Sequence, residues 1–309
     1  MSFTSIVKNE ITHLQTTKPE NISELSAIIR NDAIINETNI KITTENSSVA
    51  RRIFELMKQL YDVNSKVTVR RGYNYNKHYL YILEITHKTK DILSDLSIYD
   101  HNTYYNIPRD YLIEDEDLLR AYIRGLFLST GSINDPKKSR YHLEFIVDNE
   151  NYAEFICNLL NKYLLKAKYL KRDNKYMVYI KEAEKIGDFL RIINASSAVL
   201  YYEDIRIYRD HKNMTNRLNN CEQANVDKII ATAAEQVRQI EVIKEYSDLE
   251  LLDEKVKEAA YYRLKYPETS LQELSEIISI ETGKDITKSG LHHRFKKIKL
   301  LAQKLENNK

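Results

Sequence analysis

Arg120-Ala121-Tyr122-Ile123-Arg124-Gly125-Leu126-Phe127-Leu128-Ser129-Thr130-Gly131-Ser132-Ile133-Asn134-Asp135-Pro136 decides how the rest of this chain is read. Residues 118–130 read as a helix that stops at small and turn-forming residues. A second apolar helix of the same kind, Glu24-Leu25-Ser26-Ala27-Ile28-Ile29-Arg30-Asn31-Asp32-Ala33-Ile34, lies about 98 residues earlier. A repeat at fixed spacing sets the architecture, and the segments after each copy recur in one order.

After the first copy come an extended stretch at 39–43, an amphipathic helix at 48–61, and two segments at 67–71 and 79–85. The last two alternate and are rich in β-branched and aromatic residues, as strands are. Residues 72–77 form their hairpin connection. After the second copy come a strand at 141–147, a helix at 151–163, and strands at 168–172 and 176–180 joined by Asp173-Asn174-Lys175; a helix at 183–193 closes the unit. The reading is two α-β-β-α-β-β-α units in tandem. Each has a sheet apolar on one face, so the two should pack as a pseudo-twofold body, joined around Asn106-Ile107-Pro108-Arg109.

Composition bounds the rest. A chain of 309 residues suits two or three domains, and 42% hydrophobic with 30% charged residues is ordinary for a soluble globular protein. Only 6 Gly and 4 Pro argue against disorder or a turn-rich all-β fold. The formal charge is +2, 47 basic against 45 acidic residues, so affinity for nucleic acid must come from local clustering. Cys157 and Cys221 are isolated, which excludes a thiol-rich zinc site, argues against a disulfide framework and fits a reducing cytoplasm. No apolar run approaches the roughly 20 residues that cross a bilayer, and the N-terminus has no signal-peptide pattern. The 23 Tyr are spread along the chain and, with abundant Asn, Lys and Ile, fit an AT-biased genome.

The last 60 or so residues divide into three helices. One, at 252–266, ends at Pro267. Thr269 or Ser270 caps a second that runs to Ile280, with Glu273 completing a capping box. After a loop with Gly283, Thr287 or Ser289 opens a third that continues to about Leu305. This is the order of a helix-turn-helix, whose later helix enters the major groove. From Ile286 to the end there are about seven basic residues and one acidic, the most one-sided cluster of the chain. Leu291, Phe295, Ile298 and Leu300 or Leu301 form the buried stripe. Lys288, Ser289, His292 and His293 are placed to meet base edges, and Arg294, Lys296, Lys297 and Lys299 to meet phosphates, with Ser270 and Gln272 from the second helix beside them. Upstream, Arg206, Arg209, Lys212 and Arg217 mark either a basic connector near the phosphate backbone or a solvated helix face, and helical character runs through 226–246.

The stretch 120–136 resembles the corresponding segment of WhiA-type regulators, whose body is similar to a single-chain LAGLIDADG homing endonuclease. Asn216-Arg217-Leu218-Asn219-Asn220-Cys221-Glu222-Gln223-Ala224-Asn225 resembles the linker signature of that family, and Lys288-Ser289-Gly290-Leu291-His292-His293-Arg294 adds a third match. The resemblance covers nearly the whole chain. It implies an α+β protein with tandem pseudo-twofold LAGLIDADG-like α/β repeats at 1–110 and 111–203, a linker with helix at 204–246, and an all-α helix-turn-helix domain at 247–309.

In active endonucleases of that type each of the two repeat helices ends in an acid, and the paired carboxylates hold a divalent metal, a hard cation that prefers oxygen ligands. Aligning 25–33 with 123–131 puts Asp32 and Thr130 at the two acid positions, so the second acid is missing; Asp135, beside Pro136, belongs to a turn. Ala27 and Gly125 keep the small residues that let two helices approach closely. No Gly-rich phosphate loop, nucleophile elbow or His-Glu-x-x-His run is present, and neighbouring His292 and His293 point about 100° apart on a helix. No catalytic residue, metal or cofactor is expected.

The resemblance thus implies a cytoplasmic, nucleoid-associated regulator in transcription, cell division and chromosome segregation. Its partners would be double-stranded DNA and other transcription or cell-division proteins, with no membrane. Arg70, Arg71, Lys171 and Arg172, on matching strands of the two halves, are candidates for a second DNA surface, because relatives clamp duplex in a β-sheet saddle. An active homing endonuclease and a protein-interaction module without direct DNA binding are the alternatives.

Overall fold

The computed structural model describes residues 2–36, 38–71, 79–138, 140–246 and 252–307. The chain runs α1 (Phe3–Ile11), α2 (Lys18–Asp32), β1 (Ala33–Ile35), β2 (Ile40–Thr44), α3 (Ser47–Tyr61), β3 (Lys66–Arg71), β4 (Tyr79–Ile85) and α4 (Thr89–Asp95). A short hairpin, β5 (Tyr99–Asp100) and β6 (Thr103–Tyr104), and a 3-10 turn at Asp110–Leu112 lead into the second half. There follow α5 (Glu116–Ser129), β7 (Gly131–Ile133), β8 (Leu143–Val147), α6 (Glu150–Asn161), β9 (Lys168–Arg172), β10 (Lys175–Ile180) and α7 (Ala183–Ile192). The helices α8 (Ser196–Tyr246), α9 (Glu254–Lys265), α10 (Leu271–Thr282) and α11 (Lys288–Asn307) complete the chain. Two units are distinct, Met1–Arg209 and Asp210–Lys309.

The tandem repeat expected from the sequence is present: the two four-stranded antiparallel sheets have the orders β1-β2-β4-β3 and β7-β8-β10-β9. Equivalent helices even start alike. Asn46 accepts from the Ser48 and Val49 amides to cap α3, and Asn149 accepts from the Tyr152 amide to cap α6. Register pairs Ile42 with Leu83 and Phe145 with Val178, so each sheet turns one apolar face to the helices and leaves the other open.

Several elements differ from the sequence-based expectation. The helix expected to reach Ile34 stops at Asp32, and β1 and β7 begin immediately after α2 and α5. At three residues each strand is too short for alternation to register, and the turn-forming residues around β7 read as the end of a helix rather than as a strand. The amphipathic α1 is an addition, and the short α4 supplies the closing helix of the first unit; Ser2 caps α1 by accepting from the Ser5 amide. The 72–77 connection lies outside the described residues. The helical stretch expected at 226–246 begins thirty residues earlier, at Ser196, so the basic segment at 206–217 is helix as well.

At the centre of the first unit α2 packs on α5. An added Cβ at Gly125 would lie 2.1 Å from the Glu24 carbonyl oxygen and 3.0 Å from the Ala27 methyl, so only glycine permits this approach. The interface is also polar in one place. Glu24 is fully buried, with Arg52 Nε at 2.8 Å and Arg124 Nε at 2.7 Å. Arg52 also donates to Asn21 and Thr16. Further along α2, Ser23 donates to the Leu112 and Leu118 carbonyls and Ser26 to that of Leu96, while Arg30 donates to the carbonyls of Leu96, Ser97 and Tyr105. These bonds satisfy the loop between the halves.

The second unit has its own core, in which Ile240 and Ile243 of α8 meet Val256, Ala259, Leu274, Ile278, Leu291, Phe295 and Ile298. Among the described residues no helix is long and apolar enough to cross a membrane.

Glu24→Gln leaves two buried guanidinium groups without their carboxylate, and a cost of about 3–5 kcal/mol is expected. Gly125→Val should cost about 1–3 kcal/mol or more by overpacking. Scanning calorimetry of the full chain would show both as a lowered transition, and an unshifted Glu24→Gln would refute the central role of the ion pair.

Candidate functional site

The second unit fixes its basic surface with side-chain caps on α10 and α11. Ser270 accepts from the Glu273 amide at 3.1 Å and its own amide donates to the Glu273 carboxylate at 2.9 Å, the capping box expected. α10 ends at Gly283, whose φ of +68° is left-handed backbone that glycine adopts without strain. Ser279 then ties the turn: its hydroxyl donates to the Ser275 carbonyl at 2.7 Å and accepts from the Ile286 amide at 3.0 Å. Thr287 starts α11 by accepting from the Gly290 amide at 3.2 Å. Leu291, Phe295, Ile298 and Ala302 are the buried stripe of α11; Leu300, expected as a core alternative, is half exposed.

Those anchors sort the residues predicted to meet DNA. Lys288 and Ser289, in the first turn of α11, share a cavity of about 640 Å³ with Gln272 of α10. The positive end of the α11 dipole adds to the lysine there. His292 and Lys296 lie one and two turns on, and with Lys299 line a wider groove of about 780 Å³ against Thr232, Gln236 and Gln239 of α8. His293 and Lys297 are exposed, Lys297 at 3.8 Å from Asp253. Ser270 is occupied as a cap. Arg294, grouped with the phosphate contacts, instead pairs with Glu258 of α9 at 2.8 Å, its side chain only 17% exposed. Helical geometry explains this, because position 294 follows the buried stripe toward α9 rather than the outward face.

Sequence reading missed Arg263. It is buried, donates to Gln236, to the Tyr266 and Thr269 carbonyls, and lies 5.4 Å from the Phe295 ring, locking α9, the following turn and α11 together. Its partners are neutral oxygens, and burial brings its pKa down to about 10, so it stays charged at neutral pH. Nothing in a lone last-turn arginine announces such a role.

In the first unit the registers split the four basic strand residues. Val67, Val69 and Arg71 pair with the helix-side residues Leu83, Tyr81 and Tyr79, which leaves Arg70 on the open face with Lys66 and Thr68. By the same alternation Arg172 and Lys168 lie on the open face of the second sheet and Lys171 beside Tyr169 on the other. Adjacent strand residues point oppositely, so one surface cannot use all four.

Asp32 and Thr130, the two positions aligned in the sequence, lie at the ends of α2 and α5. Asp32 and Thr130 line one cavity of about 330 Å³, and Asp32 with Lys8 and Ser129 lines another of about 540 Å³. Burial pushes Asp32 up to about 6, opposed by the Lys8 charge, and burial brings Lys8 down to about 8, opposed by Asp32. Asp135 accepts from the Lys137 amide in the turn expected of it.

Three family descriptions match the chain: the WhiA N-terminal LAGLIDADG-like domain over 18–99, the WhiA LAGLIDADG-like domain over 119–212 and the WhiA C-terminal HTH domain over 215–302. The chain is 40% identical to the Staphylococcus aureus (strain JH9) protein named "Probable cell division protein WhiA", across 99% of this chain and 98% of that one. It is similar to the crystal structure of full-length DUF199/WhiA from Thermatoga maritima, with a TM-score of 0.59 and 26% identity over 98% of this chain and 99% of the other. The N-terminal LAGLIDADG domain of DUF199/WhiA shares the fold, with a TM-score of 0.51 and 23% identity over 62% of this chain and 90% of that one.

The raised pKa of Asp32 has a sign that can be measured. A proton held more tightly in the folded state stabilises below the unfolded value near 3.8, and that stabilisation is lost as pH rises through about 6. Relative to Asp32→Asn, the natural chain should therefore gain about 2 kcal/mol between pH 6 and pH 4. Denaturant midpoints at the two pH values test this, and a difference of the opposite sign would refute it.

Proposed function

This chain belongs to the WhiA family, and on that basis we propose that it is a double-stranded-DNA-binding regulator whose α11 reads the major groove. The observation that carries this is the outward face of α11. Lys288, Ser289, His293, Lys296 and Lys297 are all exposed along it, starting from a capped N-terminus beside Gln272. In this reading Lys288, Ser289, Gln272 and His293 meet base edges near the helix start, while Lys296, Lys297 and Lys299 meet phosphates. His292, exposed and lining the same groove as Lys296 and Lys299, approaches the duplex from that flank, Ser270 contributes through its cap, and Arg294 acts through Glu258.

The open sheet faces, with Arg70 and Lys66 in one half and Arg172 and Lys168 in the other, are proposed as a second and weaker phosphate surface. Backbone contacts of this kind position a duplex without reading it. The chain is proposed to act without cutting DNA, because Thr130 offers a neutral hydroxyl where a second carboxylate would be needed. The name of the Staphylococcus aureus relative supports a role in cell division. Control of transcription and of chromosome segregation, in the cytoplasm at the nucleoid, follows from the same reading.

Binding of the full chain to labelled duplex across a salt series with Mg²⁺ present tests the proposal. The affinity should fall steeply with salt, and a Lys288→Ala, Lys296→Ala, Lys297→Ala variant should bind at least about tenfold more weakly, with its salt slope reduced by about 2 to 3. Cut DNA, or binding indifferent to the triple change, would overturn it in favour of a nuclease or of a protein-docking role for the helices.

A further inference from the structure

The helix-end site of the first unit holds two opposite charges that the DNA reading does not use. α1 is fixed by Phe3, Val7 and Ile11 in the core, and by Thr4, whose hydroxyl donates to the Ile133 carbonyl and accepts from the Ile133 amide, each at 2.9 Å. From that helix Lys8 extends to the end of α5, where its ammonium donates to the Ser129 carbonyl at 3.1 Å and lies 5.7 Å from the Phe127 ring centroid. The same cavity is lined by Asp32 at the end of α2. The Asp32 carboxylate, with Glu45 at the rim, one ammonium and the carbonyl end of a helix therefore line one cavity where the two repeats converge.

A divalent metal does not fit this donor set. Among the described residues Asp32 and Glu45 are the only carboxylates lining the cavity, the symmetry-related position is Thr130, and the Lys8 ammonium would repel any cation beside Asp32. Among the described residues no three His, Cys, Asp or Glu side chains come together to hold a metal. A half-buried carboxylate still gains from a positive partner, since partial loss of water disfavours an isolated charge.

We propose that Lys8 is the built-in cation of the helix-end site, and that α1 exists in this fold to deliver it there in place of a metal ion. While it is protonated, this covalently attached cation offsets the charge of Asp32 and the carbonyl end of α5, so the convergence of the two repeats does not depend on metal supply. Lys8 and Asp32 both belong to the first unit and line one cavity there, whereas the α11 surface belongs to the second unit.

Two measurements on the full chain decide it. In the first, thermal melts compare Lys8→Met, Asp32→Asn and the double variant. Each single change strands a charge and should lower the melting temperature, whereas the double variant should recover part of the loss; additive losses would overturn the proposal. In the second, Mn²⁺ is titrated and followed by electron paramagnetic resonance. The natural chain should bind none at this site, and Lys8→Met/Thr130→Asp should bind one ion per chain, lost again when Asp32→Asn is added. An Mn²⁺ ion already held by the natural chain and lost in Asp32→Asn would overturn the proposal, as would a folded Lys8→Met/Thr130→Asp variant that gains no Mn²⁺. If that variant does not fold, the melts alone decide.

Discussion

The close approach of α2 and α5 is the constraint on which the first unit is built. Gly125 lets the Glu24 backbone sit where a side chain would otherwise be, and once the helices are that close, the Glu24 carboxylate is sealed between Arg52 and Arg124. A buried pair of this kind contributes little net stability compared with apolar packing, but it tolerates only one register, because any slip leaves a charge without its partner. Arg52 comes from α3 and Arg124 from α5, so the same carboxylate fixes the first-half helix layer and the junction of the two halves. The serines of α2 then hold the connecting loop through its carbonyls, which keeps that loop ordered without a core of its own.

The same convergence explains why the helix ends carry chemistry. Bringing two helices together side by side brings their last residues together, and in this chain those residues are Asp32 and Thr130. An asymmetric pair in a symmetric scaffold leaves one negative charge, which Lys8 answers from an element outside the repeat.

In the second unit, charge is divided by helical position. Residues of α11 on the flank toward α9 are consumed within the unit, as the Arg294 and Glu258 pair shows, and those on the outward face remain in solvent. Arg263 below them supplies no surface charge at all; it holds the turn between α9 and α10 by its carbonyls. The basic count of the C-terminal segment therefore overstates what is offered to a partner, and the offered part is concentrated on one face, which suits a polyanion approaching from that side.

Periodic and local features were legible along the chain. The repeat spacing, the strand alternation, the Ala27 and Gly125 pairing, the Ser270 capping box and the Leu291, Phe295, Ile298 stripe are all of this kind, since each involves neighbours in sequence or a fixed period. Folding in three dimensions alone set the partners of Glu24, the burial of Arg263, the loss of Arg294 to Glu258, the division of Arg70 from Arg71, and the meeting of Lys8 with Asp32. Each of those depends on which residue lies opposite across a separation of many positions, or on which side of a strand faces a helix. A charged residue looks the same in sequence whether solvent or an opposite charge receives it; packing makes the choice, because burial is what turns an unpaired charge from harmless to costly.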